Sequence, residues 1–107
     1  MARHSDRLYM YEATSAWHWS HATLGTFDFI YLDGEHLAPT VLADAVHSFE
    51  RLRPGGLLAF DDYTWDSGHG RLHNPAPAID AFLSVYADLI EPVLLRGDCP
   101  QVWVRKL

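Results

Sequence analysis

The chain has 107 residues, 49% of them hydrophobic and 21% charged. That is the composition of one small globular domain; it excludes a disordered chain and is too short for a complete two-domain enzyme. Eight basic residues stand against 14 acidic ones, a formal net charge of −6. Seven arginines and the lone Lys106 are scattered and form no stripe, so nucleic acid and anionic membrane surfaces are not expected partners. Cys99 is the single cysteine, which leaves no intrachain disulfide and no multi-cysteine zinc site and fits a reducing compartment. No apolar run approaches the roughly 18–20 residues that span a bilayer. The polar start, Met1 to Arg7, lacks the apolar stretch of a signal peptide. The expectation is a cytoplasmic, soluble protein.

Residues 1–26 are the least defined segment, with a short helix conceivable over Glu12 to Ala22 and a turn at Leu24-Gly25-Thr26. From Phe27 the pattern sharpens. Phe27 to Leu32 is a nearly continuous apolar run that stops at Asp33-Gly34, the signature of a strand buried on both faces of a parallel sheet. Pro39 suits the first turn of a helix, and Leu42, Ala45, Val46, Phe49 and Leu52 follow at three- and four-residue spacing. Pro54-Gly55-Gly56 ends that helix, and Leu57 to Phe60 forms a second buried strand ending at Asp61-Asp62. A polar loop runs from Tyr63 to His73. Asn74 then reads as an N-cap, with Pro75 just inside a helix marked by Ile79, Phe82, Leu83, Tyr86 and Ile90. Pro92 breaks that pattern. Val93-Leu94-Leu95 and Val102-Trp103-Val104 read as a hairpin-like pair around Gly97-Asp98. The order strand, helix, strand, helix, strand, strand predicts an α/β fold whose helices cover a mainly parallel sheet, with a final antiparallel strand at or near one edge.

In open α/β sheets ligands bind beyond the carboxyl ends of the strands. Asp33 ends the first of the two buried strands and Asp61-Asp62 end the second. Three carboxylates converging on one crevice would repel one another, and a hard divalent cation such as Mg²⁺, Ca²⁺ or Mn²⁺ would remove the conflict. Asp-Gly and Asp-Asp are also ordinary turn sequences, so the cluster reads equally as loop chemistry. His36, three residues after Asp33, could accept a proton from a metal-bound hydroxyl, its ordinary pKa of about 6.5 suiting a base at neutral pH. It could as simply be a helix-start histidine facing water.

The ordered set of segments resembles the class I S-adenosylmethionine-dependent methyltransferases. Phe27 to His36 is similar to their fourth-strand segment, and Leu52 to Tyr63 to the helix end and fifth strand that follow. Pro77 to Leu83 and Gln101 to Lys106 continue the likeness, which covers about residues 27–107. Among these enzymes it is similar to the macrocin-type and related small-molecule O-methyltransferases. The resemblance implies a partial Rossmann-like methyltransferase sheet, Asp33, Asp61 and Asp62 as ligands of Mg²⁺ or a similar cation, and His36 as general base. It also implies S-adenosylmethionine as cofactor and a small hydroxylated molecule as substrate. What it does not find is the family's amino-terminal part: the chain has no Gly-x-Gly-x-x-Gly loop and a single glycine, Gly25, ahead of Gly34. The expectation is therefore a carboxyl-terminal half, residues 27–107, preceded by the undefined residues 1–26. Such a half would be truncated, inactive alone, and left with an unpaired first-strand edge through which it dimerises or pairs with another chain. The other expectation is a non-enzymatic remnant that serves as an interaction or dimerisation module.

Remaining candidates have plainer alternatives. His18 and His21 share a helical spacing without a third ligand. His69, His73 and Asp66 lie in a Gly-containing loop that the resemblance makes a substrate-facing lid. Tyr63 and Trp65 could flank an aromatic or sugar substrate or cover the sheet edge. Cys99 has no neighbouring base.

Overall fold

The computed structural model describes residues 8–11, 27–32, 37–93 and 100–107. Five strands, β1 (Leu8–Tyr11), β2 (Phe27–Leu32), β3 (Leu52–Phe60), β4 (Ile90–Val93) and β5 (Val102–Lys106), form one sheet in the order β1-β2-β3-β5-β4. β1, β2 and β3 run parallel, and β5 runs antiparallel to both of its neighbours, β3 and β4. Helix α1 (Ala38–Arg51) joins β2 to β3, and helix α2 (Ala76–Val85) lies between β3 and β4. The α/β class and the antiparallel carboxyl-terminal strand agree with the sequence, and β4 occupies the edge.

Strand alternation explains the core. Ile30, Leu58 and Val104 stand in one register row, are at most 1% exposed, and lie on the face that receives Ile79 and Phe82 of α2, both fully buried. The two helices meet through aromatic rings: Phe49 of α1 lies 5.9 Å from Phe82 and 4.7 Å from Tyr86, centroid to centroid. On the other face Phe29 and Trp103 meet at 5.3 Å. There Gln101 satisfies two ring-borne polar groups at once, donating to the Tyr31 hydroxyl and accepting from Trp103 Nε1.

Several expectations are corrected. A strand, β1, lies within the undefined first 26 residues and pairs with β2 through Leu8↔Phe29 to Tyr11↔Leu32. The edge of β2 is therefore covered, and among the described residues β1 is the outermost strand on that side. The helix conceived over Glu12 to Ala22 falls outside the described residues, as do Asp33, His36, His18, His21 and Cys99. β3 begins at Leu52, not Leu57, because Pro54-Gly55-Gly56 is carried as an irregular stretch beside a register shift between Phe27 and Phe29. Gly56 is required there: a Cβ would sit 2.9 Å from the carbonyl oxygens of both Asp28 and Arg53.

Asn74 is not the N-cap of α2. Pro75 holds that position without a side-chain bond, while Asn74 Oδ1 accepts from the Ser67 N–H. α2 ends at Val85; a short 3₁₀ turn, Ala87–Leu89, then leads into β4, so Ile90 is a strand residue and not the last turn of a helix. Apolar spacing misled here because Ile90 is buried by β4 pairing while keeping a four-residue distance from Tyr86. Finally, α1 buries Asp44 and Ser48 along with Val41, Ala45 and Phe49, while Leu42 of the expected stripe is only partly buried.

Candidate functional site

The site is built where β2 and β3 end side by side. Their last paired residues are Leu32 and Phe60, and Asp61 continues the ladder by donating its N–H to the Leu32 carbonyl at 3.1 Å. Asp33 follows Leu32 in sequence, so the acidic pair leaves β3 beside the end of the strand that leads to Asp33 and His36. Those two residues are outside the described set, and the structure tests neither. Among the described residues no group of three or more His, Cys, Asp or Glu is close enough to hold a metal ion. Asp61 and Asp62, both half-buried, are the described members of the expected ligand set. Both are carboxylates, the donors a hard cation takes.

The backbone at this point is unusual. Asp62 has φ 60°, the only positive φ outside glycine among the described residues. Aspartate is one of the few side chains that tolerate this region. The Trp65 N–H closes a turn onto the Asp62 carbonyl at 3.0 Å.

Tyr63 follows and is tied twice. Its N–H donates to the Pro100 carbonyl at 2.7 Å, and its hydroxyl donates to Asp80 Oδ1 on α2 at 2.7 Å. Its ring packs against the hydrophobic core. The bond to the Asp80 carboxylate, followed by partial burial and the nearby negative charge, raises the Tyr63 phenol above its ordinary pKa. Of the two roles considered for Tyr63, the structure thus adds a third that sequence alone does not signal. Its partner lies 17 residues away on a helix surface, and nothing in either local pattern pairs them.

Beyond Tyr63 the polar loop is organised by its own side chains. Asp66 Oδ1 accepts from the Gly68 N–H at 2.9 Å and from Asn74 Nδ2 at 3.3 Å, and Ser67 Oγ accepts from the His69 N–H at 3.0 Å. Asp66 is thereby occupied in holding the loop. The His69 and His73 rings meet edge to face at 6.1 Å. Trp65 and Leu72 are exposed, at 41% and 57%.

A family model described as a methyltransferase domain matches residues 2–63, more than half of the chain. The chain belongs to this methyltransferase-domain family, and its sheet is of the Rossmann-like class I type. The match takes in residues 2–26, ahead of the segment in which the sequence resemblance was seen. In fold, the chain is similar to the O-methyltransferase NovP, with TM-score 0.59 and 17% identity over 80% of this chain and 32% of that one. It is also similar to an O-methyltransferase from Bacillus cereus, described in complex with SAH, with TM-score 0.58 and 16% identity over 86% of this chain and 46% of the other. The chain thus spans about a third to a half of the length of these two structures. No curated protein matches it in sequence. Among the described residues no helix is long and apolar enough to cross a membrane.

Proposed function

We propose that the chain supplies the metal-and-base part of an S-adenosylmethionine-dependent O-methyltransferase site acting on a small hydroxylated molecule. The observation that carries this is the side-by-side termination of β2 and β3, with Asp61 hydrogen-bonded to the Leu32 carbonyl, in a chain of the methyltransferase-domain family. Asp61 and Asp62, with Asp33, would hold Mg²⁺ or a similar cation, which when bound supplies Lewis acidity toward the substrate's oxygens. S-adenosylmethionine supplies an electrophilic methyl group on a sulfonium. This chain's own residues would bind and orient the acceptor at the carboxyl end of the sheet, and a ring nitrogen of His36 would take the hydroxyl proton as the oxygen attacks. The loop from Tyr63 to His73, with Trp65 exposed, would line the substrate side. A cytoplasmic setting suits the single cysteine.

Calorimetric titration with Mg²⁺, then with S-adenosylmethionine, tests this reading. Mg²⁺ binding by the wild type that disappears in the Asp61→Asn, Asp62→Asn double variant supports it. Equal heats from both proteins contradict it.

A second reading is favoured by a specific contrast between the two sheet edges. The edge strand β4 carries Glu91 and Pro92, which discourage further pairing, whereas β1 is Leu8-Tyr9-Met10-Tyr11, with neither charge nor proline. On this reading the chain is a non-enzymatic module that pairs through β1 with a second copy or with another chain. Sedimentation equilibrium separates the two: a concentration-dependent mass with no heat from either ligand selects the module.

A further inference from the structure

Two tethers fix the ends of the Asp61–Asp62 dipeptide. On one side the Asp61 N–H is held by the Leu32 carbonyl at 3.1 Å, an extension of the β2–β3 ladder. On the other stands Tyr63, whose N–H reaches Pro100, just ahead of β5, and whose hydroxyl reaches Asp80 on α2, each at 2.7 Å. Between them Asp62 adopts φ 60°. Aspartate tolerates this region better than most side chains, yet it still lies above the ordinary backbone wells and is held there by its surroundings. The bonds of Tyr63 supply that restraint, since they anchor the next residue to two different elements. The ring alone would suffice for packing; the hydroxyl has no packing task, and it sits on a half-exposed tip that water could equally satisfy.

We infer that Tyr63 is a positioning residue: through its bonds to Asp80 and Pro100 it holds Asp62 in its left-handed conformation and keeps the Asp61–Asp62 carboxylates in a geometry a divalent cation can use. The cation half of this statement rests on the function proposed above; the backbone half does not. Asp80 belongs to the tether and not to the ligand set.

The experiment uses the full chain as wild type, Tyr63→Phe, Asp80→Ala and Asp80→Asn. Mn²⁺ binding is read from the electron paramagnetic resonance signal of the free ion, and hydrogen exchange is followed at the Trp65 amide, which bonds the Asp62 carbonyl. Tyr63→Phe keeps the ring and removes only the hydroxyl. It and Asp80→Ala should weaken Mn²⁺ binding and speed Trp65 exchange, each by up to about tenfold, the upper end of what one ordinary solvent-exposed hydrogen bond is worth. Asp80→Asn keeps an acceptor oxygen for the Tyr63 hydroxyl and should restore both. Wild-type binding and exchange in Tyr63→Phe would overturn the inference. So would an Asp80→Asn variant as defective as Asp80→Ala, because Asp80 would then act by its charge. If the wild type binds no Mn²⁺, the proposed cation site fails, and the exchange measurement alone decides the tether: faster exchange in Tyr63→Phe sustains it and unchanged exchange removes it.

Discussion

Lys106, the only lysine in the chain, shows how one side chain can join distant parts of a small sheet. Its Nζ donates to the carbonyls of Phe49 and Leu52, both at 2.8 Å, and lies 4.4 Å from the centre of the Phe49 ring. Those carbonyls lie at and just past the end of α1, where a cation complements the helix dipole; the Phe49 carbonyl also accepts the Leu52 N–H that caps the helix. Burial lowers the Lys106 pKa from 10.5, an effect that the charge of Glu50 partly opposes. Between that lowered value and 10.5 the unfolded chain binds the proton and the folded chain does not. Stability contributed by this group therefore rises with pH across that window, and the cost is constant below it. With a single lysine, nitrogen NMR of Nζ should show the depressed titration without ambiguity. Lys106→Met keeps the stem and removes the donors, and should cost about 1–2 kcal/mol in urea unfolding.

The two glycines inside β3 differ in what they require. At Gly55, with φ +86°, a Cβ would meet nothing within 4 Å, so alanine there costs only backbone strain, about 1 kcal/mol. At Gly56 a Cβ would lie 2.9 Å from two carbonyl oxygens, and the β2–β3 pair must shift to admit it. Gly56→Ala should therefore be the more damaging, at roughly 2–3 kcal/mol. Thermal unfolding of the two variants side by side checks the order.

At the scale of elements, stability is concentrated where α1 and α2 meet over the sheet. Phe82 is fully buried and has Phe60 at 5.5 Å, Phe49 at 5.9 Å and Tyr86 at 4.6 Å. Phe82→Ala should cost about 3–5 kcal/mol, since it empties the centre of this aromatic group. Denaturant titration measures it.

Those elements were legible in the sequence because burial leaves a mark on local pattern. β2 and the second half of β3 read as nearly continuous apolar runs although only one face is fully covered: Ile30, Leu32, Leu58 and Phe60 are buried, whereas Phe29, Tyr31 and Leu57 are half-buried; α1 announces itself with Pro39 and a three-and-four spacing. The elements that were not legible take their order from partners distant in sequence. β1 is four residues with no flanking signal and becomes a strand by lying beside β2. β4 contains Pro92, ordinarily a mark against a strand, and is tolerated because it sits at the edge. The candidate site divides in the same way. Asp61 and Asp62 were found because an apolar run ends on them. The Tyr63–Asp80 bond was invisible because nothing along the chain links a loop tyrosine to an exposed helix aspartate.

For the molecule as a whole, the arrangement sets the acidic pair at one end of the sheet and leaves a different group of side chains at the other. The Leu107 N–H donates to the Leu89 carbonyl at 3.1 Å, and Val85, Leu89 and Leu107 are 76%, 52% and 64% exposed. Chemistry proposed for the chain thus falls at the carboxyl end of β3, whereas the opposite end carries exposed apolar side chains beside the Arg53–Asp28 ion pair.

The strand order carries a consequence for time as well as for space. β5 is the last strand along the chain, yet it lies between β3 and β4. Among the described residues β4 pairs with β5 and with no other strand, so its ladder waits for β5 to insert. The sheet therefore cannot be assembled by adding strands in the order the ribosome delivers them, and its closing step joins residues far apart in sequence, which is slow relative to local helix formation. In pulse-labelled refolding, the amides of Glu91 and Val93, the β4 positions that face β5, should gain protection together with those of Val102 to Lys106, and later than the amides of α1. Simultaneous protection of β4 and α1, ahead of β5, would show that the carboxyl-terminal strand is an addition to a finished sheet and not its keystone.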